Sequence, residues 1–359
     1  MEGTQIKERQ RLDYIDTIKG IGIILVVIGH HLLEAEGVIV WILSYHMPLF
    51  FMITGYLSEY KKDKCEDIKK LIINKAKSLM YPYVTFSVIN IIWYVLFYIV
   101  VPISGQPNDS LSVVLLRTIT TLGYQALWFL PTLFIGTVLF NIINKSKAYH
   151  FIHIVVMLFG CIVCVLIRQE GLEHNAVWYI FNYISRTAVA TSFIYIGSLL
   201  CKFLTKLNNI AEWICLGVAA VAVAITLVIN LSNMTEYNLA VSNLSNPVMF
   251  YLSAISNSVL VLLLCKKISL KKGLLNFYGK NSLIIMAIHM GFPVEIAWLI
   301  IGIIGSPFST TVTSIIVIII EFIILTVCIV LINKYFKFIL RLPNRSKKSI
   351  EKVKSVENN

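Results

Sequence analysis

Charge is the scarcest property of this sequence. Asp, Glu, Lys and Arg make up 14% of its 359 residues, whereas 57% are hydrophobic, and the mean hydropathy is +0.79. A soluble core of this size could not bury so much apolar surface, which excludes a soluble protein. The chain also lacks Walker, GxGxxG, HExxH and GxSxG motifs. Nucleotide hydrolysis, dinucleotide redox chemistry, zinc proteolysis and serine hydrolysis therefore have no basis in it.

Cysteine is sparse too, and its placement excludes a disulfide framework. The seven cysteines are odd in number and lie in or beside apolar runs or in a basic loop. Cys161 and Cys164 form a CxxC, but Val, Ile and Phe surround them. That setting favours buried structural thiols over a redox or metal site. We therefore predict no bound metal.

Long apolar runs dominate what is present. A transmembrane helix needs about 20 apolar residues, and runs near that length follow one another along nearly the whole chain. We predict an all-α polytopic membrane protein with about ten transmembrane helices and no soluble catalytic domain. The predicted spans are residues 17–34, 41–57, 82–103, 125–143, 150–167, 177–200, 211–231, 247–265, 281–304 and 310–333.

The basic residues are distributed asymmetrically around these spans. With the N-terminus placed inside, 28 of the 31 Lys and Arg residues fall in inner segments, and the exceptions are Arg117, Arg168 and Arg186. By the positive-inside rule, this distribution places both termini in the cytoplasm. The formal net charge of +12 then reflects topology and contact with membrane lipids, and no nucleic-acid partner is expected.

The segments outside the spans suggest three parts of the chain. We expect a cytoplasmic lead-in (1–16), a membrane domain (17–333) and a basic cytoplasmic tail (334–359). Within the membrane domain, the lysine-rich residues 67–82 predict an amphipathic helix on the inner leaflet. The apolar spacing around Arg117 predicts an interfacial or re-entrant helix.

The first span carries two ionisable residues on one face. Lys19 and His30 are eleven residues apart, which returns to nearly the same helical face about 16 Å deeper. A lysine at a helix end is typical of a snorkelling anchor, whereas His30 cannot reach water in that way. Gly22 and Gly29 predict that a neighbouring helix packs closely against this span.

The second span brings a further imidazole to the same depth. His46 precedes Met47 and Pro48, and the proline kinks or opens the helix because it removes a backbone hydrogen bond. Counted from the outer end, His46 lies at about the depth that His30 reaches from the inner end. A buried packing histidine and a functional site both fit a single membrane histidine, and the matched pair favours a site.

Ionisable and aromatic residues of later spans form a second candidate group. Arg186 lies below the outer headgroups and must be paired or hydrated, and Glu295 follows an interruption at residues 291–293 at a similar level. We predict an Arg186–Glu295 pair, either a structural clasp or an acceptor-binding pair, with His289 slightly nearer the cytoplasm. Trp128 lies near the outer interface, where an aromatic belt also explains it.

Four blocks of the sequence resemble successive signatures of the acyltransferase 3 family of integral membrane acyltransferases. They are RLDYIDTIKGIGIILVVIGH, YHMPLFFMITGYL, ALWFLPTLF and YGKNSLIIMAIH, in family order across residues 11–289. The resemblance implies transfer of an acyl group, often acetyl, from cytoplasmic acyl-CoA to hydroxyls of surface or lipid-linked glycans, peptidoglycan or antibiotics. The family hallmark is a basic residue, commonly arginine, upstream of a histidine in the first span. Lys19 and His30 occupy those places, and lysine lacks the bidentate fork of arginine.

The resemblance also implies roles for the candidate residues. Lys19 and Lys280 would bind acetyl-CoA, and His30 would act as general base or transient acyl carrier. His46 would position or relay, and Arg186 would stabilise charge. Glu295, His289 and Trp128 would form a substrate-side or structural group.

Two other functions fit parts of the same pattern. A multi-span transporter of a small molecule or glycan precursor would also use broken helices and buried charges, although no matching pair of discontinuous helices is evident in the two halves. A non-catalytic membrane module is the third alternative. We expect a multi-pass protein of a bacterial plasma membrane whose acceptor is a carbohydrate or lipid-linked hydroxyl.

Overall fold

The structure, a computed structural model, describes residues 12–31, 36–61, 67–100, 109–169, 176–233, 235–268, 273–305 and 308–340. Most of the predicted lead-in and tail, residues 1–11 and 341–359, lie outside these described residues. The described α-helices are α1 (Asp13–Gly29), α2 (Glu36–Leu43), α3 (His46–Tyr60), α4 (Ile68–Lys75), α5 (Tyr81–Tyr94), α6 (Leu111–Ile119), α7 (Phe129–Ile143), α8 (Tyr149–Gln169), α9 (Ala176–Leu204), α10 (Asn209–Ser232), α11 (Pro247–Ile268), α12 (Leu274–Lys280), α13 (Ser282–Ile288), α14 (Phe292–Ile304) and α15 (Thr310–Tyr335).

Short irregular segments join these helices. The described β-structure is one antiparallel hairpin. Its two strands, each of two residues, are β1 (Tyr237–Asn238) and β2 (Asn243–Leu244). Turns of 3-10 helix occupy Gln125–Trp128, Leu239–Val241 and Lys337–Leu340, and π-helical turns occupy Ala76–Met80 and Val95–Val100.

The helices confirm the predicted all-α polytopic fold. In the described part of the chain, eight helical segments are long and apolar enough to cross a membrane, and the bent pair α13 and α14 forms a ninth. The remaining predicted span corresponds to α1, which has 17 residues. The segments are Gly37–Tyr60, Ile68–Ile99, Gln125–Ile143, Tyr149–Arg168, Val177–Leu204, Asn209–Ser232, Pro247–Ile268 and Thr310–Tyr335.

The third span differs from its prediction. Residues predicted as a separate surface helix, 67–82, instead continue into one helical segment, Ile68–Ile99, of 32 residues. The π-helical turn at Ala76–Met80 joins α4 to α5 without a break in the helical backbone. At 1.5 Å per residue this segment is about 48 Å long, well beyond the hydrocarbon core of a bilayer.

The segment around Arg117 forms α6, which packs against α5. The Tyr94 hydroxyl donates to the Asp109 carbonyl at 2.7 Å, and the Tyr83 hydroxyl donates to the Thr118 carbonyl at 2.7 Å. These two bonds hold α6 antiparallel alongside α5, so α6 descends into the bundle. Irregular backbone at that depth is tolerated only when it is buried or lines a cavity, which is where residues 120–125 lie.

One end of the bundle gathers the described lysines and the start of α1, and is called the basic end below. The Tyr14 and Tyr56 hydroxyls lie 3.2 Å apart, which joins the start of α1 to the end of α3. Lys267 pairs with Glu212 at 2.7 Å, which joins the end of α11 to the start of α10. The opposite end, which contains α6 and the β-hairpin, is called the far end.

Two glycines allow α1 and α12 to touch backbone to backbone. A Cβ atom built on Gly20 would lie 1.9 Å from the Leu275 carbonyl oxygen, and one built on Gly279 would lie 1.6 Å from the Asp16 carbonyl oxygen. The Asn276 amide donates to the Asp13 carbonyl at 3.0 Å in the same crossing. Small residues at helix contacts permit such approach in membranes, and Gly20 and Gly279 fill that role here.

The core lies between α1, α3 and α9. Gly55 and Gly197 form a second close crossing, because a Cβ on either would lie within 2.0 Å of a carbonyl oxygen on the other helix. Phe51, Phe193 and Phe250 are fully buried around it. This rigid centre holds the neighbouring helix breaks described next.

Candidate active site

Three breaks in the helices occur near one another, and each carries a histidine. The α1 helix ends at Gly29 with His30 as its C-cap, and α3 begins at His46 after a turn at residues 44–45. His289 follows α13, where the chain bends by 61° into α14. The ring centroids of His30 and His289 are 5.4 Å apart, and His46 is close enough to His30 for their charges to interact.

Two of these imidazoles have a defined orientation. Nδ1 of His46 lies 2.8 Å from the Ile42 carbonyl, and Nδ1 of His289 lies 2.9 Å from the Ile285 carbonyl. A carbonyl only accepts, so Nδ1 carries the proton in both rings and Nε2 keeps a lone pair. Nε2 of His289 is buried and has no hydrogen-bond partner. An unpaired acceptor is thus held beside His30.

His30 differs from its two neighbours. It is surrounded by protein atoms, yet its side chain is exposed. No hydrogen bond joins its ring to another described side chain, and its recorded ring contact is with His289. A histidine that is enclosed but unengaged is available to a substrate, which is what a general base requires.

A buried hydrogen bond between two ionisable side chains supports the end of α1. Nε2 of His31 lies 2.5 Å from Oε2 of Glu321 in α15, and both side chains are almost completely buried. The other carboxylate oxygen, Oε1, has no partner. Glu321 is the sole acid in an apolar helix of 26 residues, so it needs this partner. The pair fixes the residue that follows His30.

We expect Glu321→Ala to destabilise the protein by about 1–3 kcal/mol, because the buried ring of His31 then loses its hydrogen-bond partner. Thermal unfolding in a neutral detergent measures the effect. Glu321→Gln is the matched control, since its amide oxygen still accepts, and it should lose clearly less. Equal unfolding temperatures for Glu321→Ala and the parent protein would contradict a stabilising pair.

A cavity of about 480 Å³ opens on the far-end side of the histidines. Its walls come from α9, α14, the β-hairpin region and residues 122–125, and Met290, next to His289, contributes to its lining. A Cβ on Gly291 would lie 3.6 Å from Oε1 of Gln125, another lining residue. The cavity therefore reaches the helix break that holds His289.

Arg186 lies in this cavity, 2% exposed. Its Nη2 donates to the Leu122 carbonyl at 2.7 Å, and its guanidinium lies 5.5 Å from the Trp128 ring and 5.1 Å from the Tyr183 ring. Nε is buried without an acceptor. Within the described residues Arg186 has no acidic partner. The Trp128 ring stabilises this buried cation through a cation–π contact instead.

The predicted Arg186–Glu295 ion pair is wrong. Glu295 lines the same cavity, but its carboxylate accepts from the Tyr98 hydroxyl at 2.6 Å and from the Trp93 indole nitrogen. Similar depth along two helices does not set their lateral position, and two aromatic donors on the third span satisfy Glu295 instead. His289 packs against the ring of His30.

The floor of the cavity is a strained loop. Thr121 and Gln125 have positive φ values of 59° and 52°, and Gly123 has φ 83°. Non-glycine residues in this region carry strain that concentrates at functional sites. Tyr124 lies between them, and burial raises the pKa of its hydroxyl, so it stays a hydrogen-bond donor. The loop thus presents polar groups to the cavity at membrane depth.

The two predicted lysines lie at the basic end, beside the close crossing of α1 and α12. Lys19 precedes Gly20 and is half-buried, and Lys280 follows Gly279 and is exposed. A Cβ on Gly279 would lie 2.8 Å from the Gly20 nitrogen, so the crossing holds these two segments together. Two cations near one level suit a polyphosphate.

No cluster able to hold a metal ion occurs within the described ranges.

Sequence reasoning missed two features of the site. It gave Glu321 no role and did not foresee its pairing with His31, although two ionisable residues in apolar helices each signal a need for a partner. It also failed to place residues 121–125 in the cavity, because positive φ at Thr121 and Gln125 has no sequence signal. Ala240 and Val241, which lie between β1 and β2, also line the cavity.

The fold and the site define a multi-pass membrane protein with imidazoles at helix breaks between a basic end and a polar cavity. Comparison with protein families then identifies its class more closely. The acyltransferase 3 family, described as an acyltransferase domain, matches residues 12–333. The chain therefore belongs to this family and is an acyltransferase, which confirms the resemblance and leaves the transporter alternative unsupported. No curated protein and no solved structure gave a match.

Proposed function

We propose that this protein is a membrane O-acyltransferase that moves acetyl from acetyl-CoA to a hydroxyl of a cell-surface or lipid-linked glycan. One observation carries the proposal: the imidazoles of His30, His46 and His289 lie at helix breaks. These breaks separate the two lysines of the basic end from the polar far-end cavity. An imidazole suits removal of a hydroxyl proton during attack on a thioester. Family membership supports acyl transfer, and the donor and acceptor are part of the proposal.

The donor would bind from the basic end. Lys19 and Lys280 flank the α1–α12 crossing and offer point charges to the phosphates of CoA. From Lys19 to His30 is about 16 Å along α1, a reach comparable to an extended pantetheine arm. The basic end would then face the cytoplasm, where acetyl-CoA is available, and the protein would lie in a bacterial plasma membrane with both termini inside.

The acceptor would enter through the far-end cavity. His30 takes the proton of the acceptor hydroxyl, the oxygen forms an ester bond with the acetyl carbonyl carbon, and the carbon–sulfur bond breaks. The proton on His30 then passes to the departing CoA thiolate. While His30 is protonated, the free Nε2 lone pair of His289 can accept its N–H. The ring of His46 is fixed by its hydrogen bond to the Ile42 carbonyl. It acts as a positioning residue for the other two imidazoles.

Arg186 takes a different place from the one first expected. It lies in the acceptor cavity and has no recorded contact with the three histidines, so we assign it to the acceptor rather than to the thioester. Trp128 holds its guanidinium plane, and Glu295 faces the same cavity with its carboxylate oriented by Tyr98.

Replacing Lys19 tests the donor side. With purified protein and labelled acetyl-CoA, Lys19→Ala should raise KM for acetyl-CoA roughly tenfold with little change in kcat, because it removes a charge-assisted contact made equally before and during transfer. The double variant Lys19→Ala/Lys280→Ala should raise KM further.

The matched control is Lys147→Ala, an exposed lysine in the loop between α7 and α8. It should leave KM unchanged. If Lys19→Ala behaves like this control, Lys19 is only a membrane anchor. If the parent protein neither hydrolyses acetyl-CoA nor transfers the label to any hydroxyl acceptor, the proposed reaction is wrong.

A further inference from the structure

The charges of the far-end cavity are arranged unevenly. Its rim contains Asp109 and Arg117, which neutralise each other through an ion pair of 2.7 Å. Its interior contains Arg186 on α9 and Glu295 on α14, which do not pair. The cavity thus has a cationic wall and an anionic wall facing one volume of about 480 Å³.

Arg186 is the less satisfied of these two charges. Glu295 receives hydrogen bonds on both oxygens, from the Tyr98 hydroxyl and the Trp93 indole. Arg186 makes one hydrogen bond, through Nη2 to the Leu122 carbonyl, and its Nε is buried with no acceptor. Nη1 likewise has no acceptor among the described residues. A buried cation in this state is costly unless an anion completes its shell.

The guanidinium is also held in a fixed orientation. The rings of Trp128 and Tyr183 lie 5.5 Å and 5.1 Å from its central carbon, and the Leu122 carbonyl belongs to the strained loop. A planar fork that is pre-oriented loses little entropy when it binds a carboxylate or phosphate. Arginine is favoured for such bidentate recognition over a simple positive charge.

We propose that the acceptor of this cavity bears an anionic group, a carboxylate or phosphate, that Arg186 binds opposite the hydroxyl-binding wall of Glu295 and Tyr98. The inference rests on the proposed function in treating the cavity as the acceptor side. It adds the charge class of the acceptor and its direction in the site. The anion lies against α9, and neutral hydroxyls lie against α14.

Ligand binding without acetyl-CoA tests this assignment. The full-length protein in a neutral detergent is heated with increasing inorganic phosphate, D-glucuronate, D-glucose or D-glucosamine at constant ionic strength. Phosphate or glucuronate should raise the unfolding midpoint, and glucose and glucosamine should raise it much less. The stronger of the two anions distinguishes a phosphorylated acceptor from a uronic-acid acceptor.

Substitution of the arginine localises the effect. Arg186→Gln should weaken the apparent affinity for the effective anion roughly tenfold to hundredfold, since a charged hydrogen-bonding partner is lost. Arg186→Lys should retain part of the affinity because it keeps the charge but loses the fork. Arg168→Gln is the matched control, as this exposed arginine lies in the last turn of α8, and it should bind as the parent does.

Each alternative result overturns the inference. Equal stabilisation by glucose or glucosamine, undiminished anion binding in Arg186→Gln, or no shift with either anion would do so. The ligand series on the unsubstituted protein decides the matter even if Arg186→Gln does not fold. Acetyl transfer to neutral acceptors alone would remove the anionic acceptor and leave the proposed function standing. Anion binding at Arg186 without any acetyl transfer would leave the anion-binding role of Arg186 standing and would overturn the proposed function.

Discussion

Replacing His30 with alanine is expected to reduce acetyl transfer by about 10²–10⁴-fold while leaving the protein folded. Loss of a general base in that range follows from the usual contribution of proton transfer to catalysis. Folding should be retained because the His30 side chain is exposed and makes no hydrogen bond to a described side chain, whereas His289 keeps its own bond to Ile285. Initial rates with labelled acetyl-CoA measure the change.

Two measurements make the His30 result specific. Size-exclusion chromatography and thermal unfolding must show that His30→Ala behaves as the parent does. His150→Ala is the control, since His150 is an exposed histidine at the basic end whose Nδ1 contacts the Tyr195 hydroxyl. It should keep near-parental rates. A His30→Ala protein that still transfers acetyl at the parental rate would remove His30 from the chemistry.

The second large effect is expected at the α1–α12 crossing. Gly279→Ala would place a Cβ atom 1.6 Å from the Asp16 carbonyl oxygen, a backbone atom that cannot move aside alone. The helices must separate, and overpacking of this kind costs about 1–3 kcal/mol or more. We expect a lower unfolding temperature and a smaller monodisperse fraction. Acetyl transfer should fall as well, because α12 leads directly into α13 and His289.

Gly302→Ala provides the comparison, in the span that follows α12. Gly302 lies inside α14, and nothing lies within 4 Å of a Cβ built there. This substitution should be neutral or stabilise by up to about 1 kcal/mol, since alanine loses less backbone entropy in a helix. Similar behaviour of the two variants would show that α1 and α12 do not touch as described.

Hydropathy predicted the spanning helices because a chain segment in lipid must satisfy its backbone hydrogen bonds internally. A sufficiently long apolar run therefore forms a helix. The seventh span, predicted as 211–231, is observed as Asn209–Ser232. The break at His46 was also predictable, because Pro48 follows it. The matched depth of His30 and His46 came from counting residues along helices, whereas the ring that packs against His30 is that of His289.

Lateral arrangement was the part that counting could not supply. The His31–Glu321 pair joins residues 290 positions apart, and no local pattern relates α1 to α15. The Arg186–Glu295 error has the same origin, since depth alone does not say which helices are neighbours. Gly279 gave no sign that it would face Asp16, because a glycine in a membrane helix is compatible with many contacts.

The α1–α12 contact also determines which kinds of sequence change the site can tolerate. Gly20 is ten residues before His30, and α1 runs without interruption between the contact and its end at Gly29. One inserted residue in this stretch would rotate His30 by about 100° and advance it by about 1.5 Å, away from His289. Exchange of one lipid-facing apolar residue for another would leave both rings in place. Between these two points, chain length is therefore constrained more strictly than residue identity.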